Sequence, residues 1–240
     1  CLFFTPGKAQ QLSVMTLRNG ATVYIWEDKS KPDVFGMIAF KVGSVDDPEQ
    51  YTGLAHYLEH VMFKGTQTID ALDWEKEKPI YEKIIAKYDE RAALSDPAAR
   101  EAVDKEINDL TREAAQYAAG NEFSLLVDHM GGQGLNASTG YDQTEYHNSF
   151  PPSQLEKWLE IYSERLIDPV FRGFQTELEA VYEEYNMYND DRGSRMREFI
   201  YEQAFGDHPY ARPIIGLPEH LKNPQLSKLI DFYNTWYGPQ

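Results

Sequence analysis

The chain has 240 residues and carries 39 acidic against 23 basic side chains, which gives a formal net charge of −16. Hydrophobic residues make up 42% of it, enough for a sizeable core, so a wholly disordered polypeptide is excluded. A single cysteine excludes an internal disulfide framework and a cysteine-rich zinc module. The acidic charge argues against non-specific binding to nucleic acid, and no apolar stretch is long enough to span a membrane.

The N-terminal third predicts three strands and a helix. Residues 12–17 and 21–26 flank Asn19-Gly20, a dipeptide that is favoured in tight hairpin turns because both residues tolerate a positive φ. A more buried strand is expected over residues 34–42. A helix follows over residues 52–63, where apolar side chains recur on one face.

Residues 73–118 predict an antiparallel helical hairpin. The break falls at Ser95-Asp96-Pro97, where Asp96 is expected to cap the second helix. Apolar side chains recur along both helices at helical spacing, and charged residues fill the other faces. We interpret the hairpin as a solvated projection with a narrow apolar seam, in preference to a dedicated partner site.

The remainder of the chain predicts further helices around one strand-like stretch. Helices are expected over residues 122–130, 152–167, 194–205 and 225–237, and another begins near residue 174 and runs past residue 188. The strand-like stretch covers residues 134–147. Strands followed by helices, without regular alternation, predict an α+β fold. We expect one domain over residues 1–240, with a mixed, largely antiparallel sheet and helices packed on one face.

Three ionisable residues share the polar face of the helix over 52–63, namely His56, Glu59 and His60. The two imidazoles lie one helical turn apart, so both can bind one tetrahedral zinc ion. A third protein ligand and a water molecule would complete a catalytic site, with Glu59 placed as general base. The alternative is a helix whose polar face happens to carry histidines.

The pattern His-x-x-Glu-His is the signature of the inverzincin peptidases. The run TGLAHYLEHVMFKGT from Thr52 closely resembles the inverzincins related to pitrilysin, insulin-degrading enzyme and mitochondrial processing peptidase. Three later segments are similar to the same family in the same order: GGQGLNASTGYDQTEYH from Gly131, LEAVYEEYNM from Leu178 and HPYARPIIGLPEHLKN from His208. The resemblance therefore extends over nearly the whole chain.

Carried over residue by residue, this resemblance implies that His56, His60 and Glu184 bind a Zn²⁺ ion and that Glu59 is the catalytic base. The alignment assigns the third ligand to the second carboxylate of Glu183-Glu184. Neighbouring side chains point about 100° apart on a helix, so both glutamates cannot comfortably face one metal.

The resemblance implies supporting roles for three more residues. Glu177 precedes Glu184 by seven residues, within about 20° of the same helix face, and would orient a ligand histidine or tune the bound water. A solvated helix carboxylate is the alternative for Glu177. Asn136 and Ala137 match positions at which the family binds the main chain of an extended peptide along a strand edge. An ordinary edge strand is the alternative there.

The resemblance also implies a partner, because family members pair this domain with a homologous second half in the same chain or another. Glu184 follows His60 by 124 residues, a longer interval than the family usually has, and the hairpin over 73–118 accounts for the excess as an insertion. The chain stops at Gly238-Pro239-Gln240, where the family continues into one more strand. We interpret it as an N-terminal catalytic half that is truncated at its last strand.

Cys1 as first residue suggests that the chain was trimmed before this numbering begins, and it hints at export and lipid attachment. We therefore favour the bacterial periplasm or cell envelope over the cytoplasm. The thiol of Cys1 is interpreted as incidental, because no histidine is paired with it by motif.

The sequence predicts a zinc-dependent endopeptidase domain that acts on unfolded peptides or small proteins, without a nucleic-acid partner or a membrane span. One alternative is a non-catalytic binding or scaffolding half whose zinc is structural. Another is a half that binds zinc but is inactive until its homologous partner is present.

Overall fold

The computed structural model describes residues 12–238. Cys1, Pro239 and Gln240, on which the interpretations of the chain ends depend, lie outside these residues. Within them, no helix has both the length and the apolar character needed to cross a membrane.

Most predicted elements are present, with ends shifted by a few residues. The strands are β1 (Leu12–Thr16), β2 (Thr22–Trp26), β3 (Val34–Phe40), β4 (Gln133–Thr139) and β5 (Thr144–Phe150). The α-helices are α1 (Leu54–Val61), α2 (Trp74–Ala93), α3 (Pro97–Ala114), α4 (Glu122–His129), α5 (Leu155–Ile167), α6 (Phe174–Asp190), α7 (Arg192–Phe205), α8 (Pro218–Leu221) and α9 (Leu226–Trp236). The predicted α+β class is confirmed.

The strands form two sheets. β1 and β2 pair with each other around Asn19-Gly20, as predicted, and β5 lies between β3 and β4 in a separate three-stranded sheet. Every strand pair within residues 12–238 is antiparallel, so the expected mixed sheet has no parallel pair there.

The stretch over 134–147 was expected as one strand-like segment, and this expectation was wrong. It is a hairpin in which the backbone N–H of Gly140 donates to the carbonyl of Gln143 (2.7 Å) and closes the turn between β4 and β5. Alternation of side chains is the same on both strands of a hairpin, so the pattern alone did not reveal the turn.

Helices cover one face of the three-stranded sheet, as predicted. Tyr146 and Phe150 of β5 are almost wholly buried, and Trp158 of α5 stacks on Phe150 with ring centres 5.2 Å apart. On the other face, Phe35 and Met37 of β3 remain exposed. The core therefore lies between this sheet and the helices, and α1 runs through it.

α2 and α3 form the predicted helical hairpin. Asp96 caps α3 by accepting a hydrogen bond from the backbone N–H of Ala99 (2.9 Å). The seam includes Ile84 and Ile107, both buried.

The interpretation of this hairpin as a solvated projection was wrong for α2. The buried carboxylate of Glu77 on α2 accepts two hydrogen bonds from Arg172, at 2.6 Å and 2.8 Å. Tyr88 packs edge-on against Phe174 at the start of α6, with ring centres 4.7 Å apart. α2 is therefore part of the body that supports α6.

The loop before α1 is clamped to the turn between β4 and β5. The backbone N–H groups of Ser44 and Val45 donate to the carbonyls of Gly140 (3.1 Å) and Tyr141 (3.0 Å). A Cβ atom at Gly43 would lie 2.4 Å from the carbonyl oxygen of Tyr141, so this close approach requires glycine. The start of α1 is thereby fixed to the end of β4.

Replacing Gly43 with alanine is expected to lower the free energy of unfolding by about 1–3 kcal/mol, because the added methyl group would overlap backbone. Urea unfolding followed by circular dichroism measures the change. Gly140→Ala is the matched control, since a Cβ there meets no atom closer than 3.6 Å, and its stability should be unchanged or slightly raised. Equal losses in both variants would contradict the clamp.

Candidate active site

The first turn of α1 is held by a buried carboxylate. Asp47 accepts hydrogen bonds from the backbone N–H groups of Gly53 (2.7 Å) and Ala55 (2.9 Å). These bonds satisfy two of the backbone donors that the start of a helix leaves free. Burial raises the pKa of Asp47 to about 7, against the opposing effects of the two backbone donors and of Arg212.

Both faces of α1 are enclosed. Leu58 and Val61 are completely buried in the core, while His56 and Glu59 on the polar face are each only 9% exposed. The polar face borders a cavity of about 790 Å³, which is also lined by the half-buried His60. The predicted polar face therefore looks into a cleft and not into bulk solvent.

The structure brings His56, His60 and Glu184 together. The Nε2 atoms of the two histidines lie 3.6 Å and 3.5 Å from the same oxygen, Oε2 of Glu184 on α6. Among the described residues, this is the one group of three or more potential metal ligands whose donor atoms all lie within 4.8 Å of one another. Glu183 is not in the group.

The pKa values of the two histidines are shifted in opposite directions. Burial, reinforced by His60, lowers the pKa of His56 to about 4. Burial also acts to lower the pKa of His60, but hydrogen bonds to Glu177 and Glu184 outweigh it and raise this pKa to about 9. Without a metal, His60 is therefore protonated near neutral pH and His56 is neutral.

Glu177 contacts the other side of the His60 ring. Its Oε2 lies 3.5 Å from Nδ1 of His60, and its Oε1 lies 2.5 Å from Nζ of Lys64. Only 16% of the Glu177 side chain is exposed, so it is not a solvated surface carboxylate. The hydrogen bond from His60, aided by Lys64, outweighs burial and lowers the pKa of Glu177.

Glu59 has a hydrogen-bond partner that the sequence analysis missed. The hydroxyl group of Thr139, the last residue of β4, donates to Oε2 of Glu59 at 2.6 Å. Burial raises the pKa of Glu59, and the bond from Thr139 opposes that rise. Because side chains alternate between the two sides of a strand, Thr139 lies on the same side of β4 as Ala137, a predicted site residue. This alternation could have indicated from the sequence that Thr139 faces the site.

Asn136 and Ala137 lie on β4 and line the cavity. Within residues 12–238, β4 pairs only with β5, so its other edge is open. Asn136 is exposed and Ala137 is buried. The structure thus places an open strand edge beside the cluster of histidines and carboxylates.

α7 supplies a further part of the cavity wall, through Ser194, Arg197 and Tyr201. The ring of Tyr201 stacks on Tyr141 of the β4–β5 turn, with ring centres 5.4 Å apart. These residues could not be identified from the sequence, because α7 carries no motif and its nearness to the site follows only from its position directly after α6.

The chain matches the family model of the insulinases, peptidase family M16, over residues 22–78 and 102–217. These two ranges make up well over half of the chain and contain all seven predicted site residues. The chain belongs to peptidase family M16, whose members are zinc-dependent peptidases. The family resemblance inferred from the sequence is confirmed.

Individual relatives agree with this assignment. Zinc protease PqqE of Helicobacter pylori is 25% identical over 230 residues, which cover 94% of this chain and 40% of that protein. A crystal structure of a protease from Helicobacter pylori has a TM-score of 0.71 at 22% identity and covers 96% of this chain and 44% of that one.

The first half of the periplasmic protease PqqL from Escherichia coli has a TM-score of 0.68 at 22% identity, over 95% of this chain and 40% of that chain. These structural likenesses show a shared fold. The chain spans only 34–40% of the length of the first curated relatives that it matches.

The raised pKa of Asp47 predicts a pH-dependent contribution to stability. Between about pH 4 and 7 the folded state holds a proton on Asp47 that the unfolded state has lost, so this contribution falls as pH rises. The stability of the wild type relative to Asp47→Asn should therefore decrease by about 2 kcal/mol from pH 5 to pH 8. Urea unfolding of both metal-free proteins across this range measures it, and a constant difference would contradict the prediction.

Proposed function

We propose that this chain is the catalytic half of a zinc endopeptidase that hydrolyses extended peptides. The observation that carries the proposal is the convergence of two imidazoles and a carboxylate beside a second, buried carboxylate, Glu59. The cluster borders an open cleft with a free strand edge. Membership of a zinc-dependent peptidase family supports the same conclusion.

The donor set fits a zinc ion. In a tetrahedral site the distance from zinc to each nitrogen or oxygen ligand is about 2.0–2.1 Å, so neighbouring ligand atoms lie roughly 3.3 Å apart. The separations between Oε2 of Glu184 and the nitrogens of His56 and His60, 3.6 Å and 3.5 Å, are close to this value. We assign these three residues as the ligands of a Zn²⁺ ion, which would acidify a bound water and polarise the scissile carbonyl.

In this proposal Glu59 is the general base. It lies between the two ligand histidines in sequence, on the same cavity-facing side of α1. Its carboxylate would take a proton from the attacking water and later deliver it to the leaving amine. Burial of Glu59 raises its pKa, which makes the carboxylate a stronger base than an exposed glutamate.

Glu177 would orient His60. Its contact with Nδ1 leaves Nε2 of His60 directed at Glu184, which is the arrangement of a ligand histidine whose second nitrogen is held by a carboxylate. Lys64 offsets the charge of Glu177 from the other side. The side-chain contacts thus favour an orienting role for Glu177 over that of an uninvolved surface residue.

The substrate would bind as an added strand along the free edge of β4, near Asn136 and Ala137. Backbone hydrogen bonds along such an edge accept many sequences, which suits unfolded peptides or small proteins. We further propose that a homologous second half, in the same or another chain, completes the substrate chamber. The hairpin over 73–118 would be an insertion in a catalytic domain that otherwise follows the family.

A bacterial periplasmic or cell-envelope location is proposed because PqqL of Escherichia coli, whose first half shares the fold, is a periplasmic protease. The alternatives are a scaffolding half with structural zinc and a half that is inactive without its partner. A scaffold does not require a buried carboxylate at position 59 beside the proposed ligands, whereas a half that needs its partner for activity does.

Replacing Glu184 with glutamine is expected to weaken zinc binding by at least about 100-fold, because it removes the negative charge of a direct ligand. Glu183→Gln is the matched control on the same helix, and its zinc affinity should stay within about threefold of the wild type. Competition with a chromogenic chelator measures both affinities. Equal effects of the two substitutions would contradict the assignment of Glu184.

Replacing Glu59 with glutamine is expected to leave one zinc ion bound while hydrolysis of a fluorogenic peptide falls by about 100-fold or more. Glu183→Gln should retain the wild-type rate. Undiminished hydrolysis in Glu59→Gln would overturn the proposed mechanism.

The two alternatives are separated by assaying the wild type with and without the homologous second half. Activity that appears only after addition of that half identifies an incomplete enzyme. Zinc binding without hydrolysis under both conditions identifies a scaffold.

A further inference from the structure

Glu59 is held by a single side chain. Among residues 12–238, Thr139 is the one donor that gives a hydrogen bond to the Glu59 carboxylate, at 2.6 Å between Oγ1 and Oε2. Glu59 is only 9% exposed, so solvent offers little competition for this bond. A short bond from a hydroxyl to a buried carboxylate is among the stronger hydrogen bonds in proteins.

The bond leaves one carboxylate oxygen available. A threonine hydroxyl has one hydrogen to donate, and here it goes to Oε2. The other oxygen of Glu59 accepts no hydrogen bond from the described residues and belongs to a side chain that lines the cavity. The contact therefore fixes both the rotation of the carboxylate and which of its oxygens is available to a water molecule.

The position of Thr139 is itself fixed relative to α1. Thr139 pairs with Thr144 at the end of the β4–β5 hairpin, directly before the turn. The backbone of Ser44 is bonded to the next residue, Gly140, so the loop that leads into α1 is tied to the end of β4. The donor, Thr139, lies on β4, and the proposed base, Glu59, lies on α1. The backbone hydrogen bonds between the loop before α1 and the β4–β5 turn hold these two elements in a fixed relative position.

We propose that Thr139 is a positioning residue for the reaction, which orients the carboxylate of Glu59 for proton transfer through its hydroxyl group. This inference rests on the proposed role of Glu59 as general base. Among the described residues, the Thr139 hydroxyl donates its hydrogen bond to Glu59 and not to a proposed ligand, so its role is assigned through Glu59. The strand on which a peptide is proposed to bind would then also set the orientation of the base.

The test compares Thr139→Val with Thr139→Ser in the zinc-loaded, complete protease. Valine keeps the shape of threonine but removes the hydroxyl, and serine keeps the hydroxyl. We expect Thr139→Val to lower kcat by about 10- to 100-fold with KM within about twofold, and Thr139→Ser to stay within about threefold of the wild type. Zinc content should remain one ion per site in both.

A peptide-binding measurement and a control variant distinguish a positioning role of Thr139 from a merely structural one. In zinc-depleted protein, Thr139→Val should bind a fluorescent peptide with wild-type affinity by anisotropy. Thr144→Val is the matched control across the register, since Thr144 donates to the carbonyl of Val42 and not to Glu59. It should lower the unfolding temperature while leaving the kcat of the folded protein within about twofold.

Coupling to Glu59 is tested with Glu59→Asp, in which the carboxylate is retracted by one methylene group from the hydroxyl of Thr139. We expect Thr139→Val to cost much less kcat in that background than in the wild type. An unchanged kcat in Thr139→Val, or a parallel loss of zinc or peptide affinity, would overturn the inference. If Glu59→Gln remains active, the proposed function itself fails, which is a separate result.

Discussion

The site depends on how α1 packs against α6. Tyr57, which follows His56 directly, donates its hydroxyl hydrogen to the backbone carbonyl of Phe174 in the first turn of α6, and the two rings lie 4.8 Å apart. Burial raises the pKa of Tyr57 well above its usual value, so the hydroxyl remains a donor. Because α6 is continuous, this contact sets the register that brings Glu177 and Glu184 to α1.

This arrangement concentrates charge where little water is available. Three carboxylates, those of Glu59, Glu177 and Glu184, surround two imidazoles, and near neutral pH in the metal-free protein only the His60 ring is positively charged. The excess of negative charge is the environment that a divalent cation would neutralise. Binding such an ion requires His60 to release its proton, so the carboxylates that favour the cation also make its binding dependent on pH.

The sequence was sufficient for the parts of the site that are local. A helical period of 3.6 residues places His56, Glu59 and His60 on one side of α1, and this follows without any knowledge of the fold. Glu184 is 124 residues from His60, so only the family resemblance pointed to it. Helical geometry showed that Glu183 and Glu184 cannot both face one metal, and the structure places Glu184 at the histidines.

The contacts that position the local motif were not predictable in the same way. Thr139 reaches Glu59 across the interface between sheet and helix, and Asp47 reaches Gly53 and Ala55 through a loop of irregular conformation. Neither contact has a fixed spacing in sequence. The many charged residues of α2 led to the prediction of a solvated projection. In the sequence, Glu77 cannot be distinguished from an exposed glutamate, because its buried ion pair with Arg172 forms only in the folded structure.

Coordination of zinc by His56, His60 and Glu184 is tested most directly by X-ray diffraction from crystals of the zinc-loaded protein on either side of the zinc absorption edge. We expect one anomalous peak at about 2.0–2.2 Å from Nε2 of His56, Nε2 of His60 and a carboxylate oxygen of Glu184. A peak at another position, or no peak at this cluster in fully loaded crystals, would contradict the assignment of these ligands.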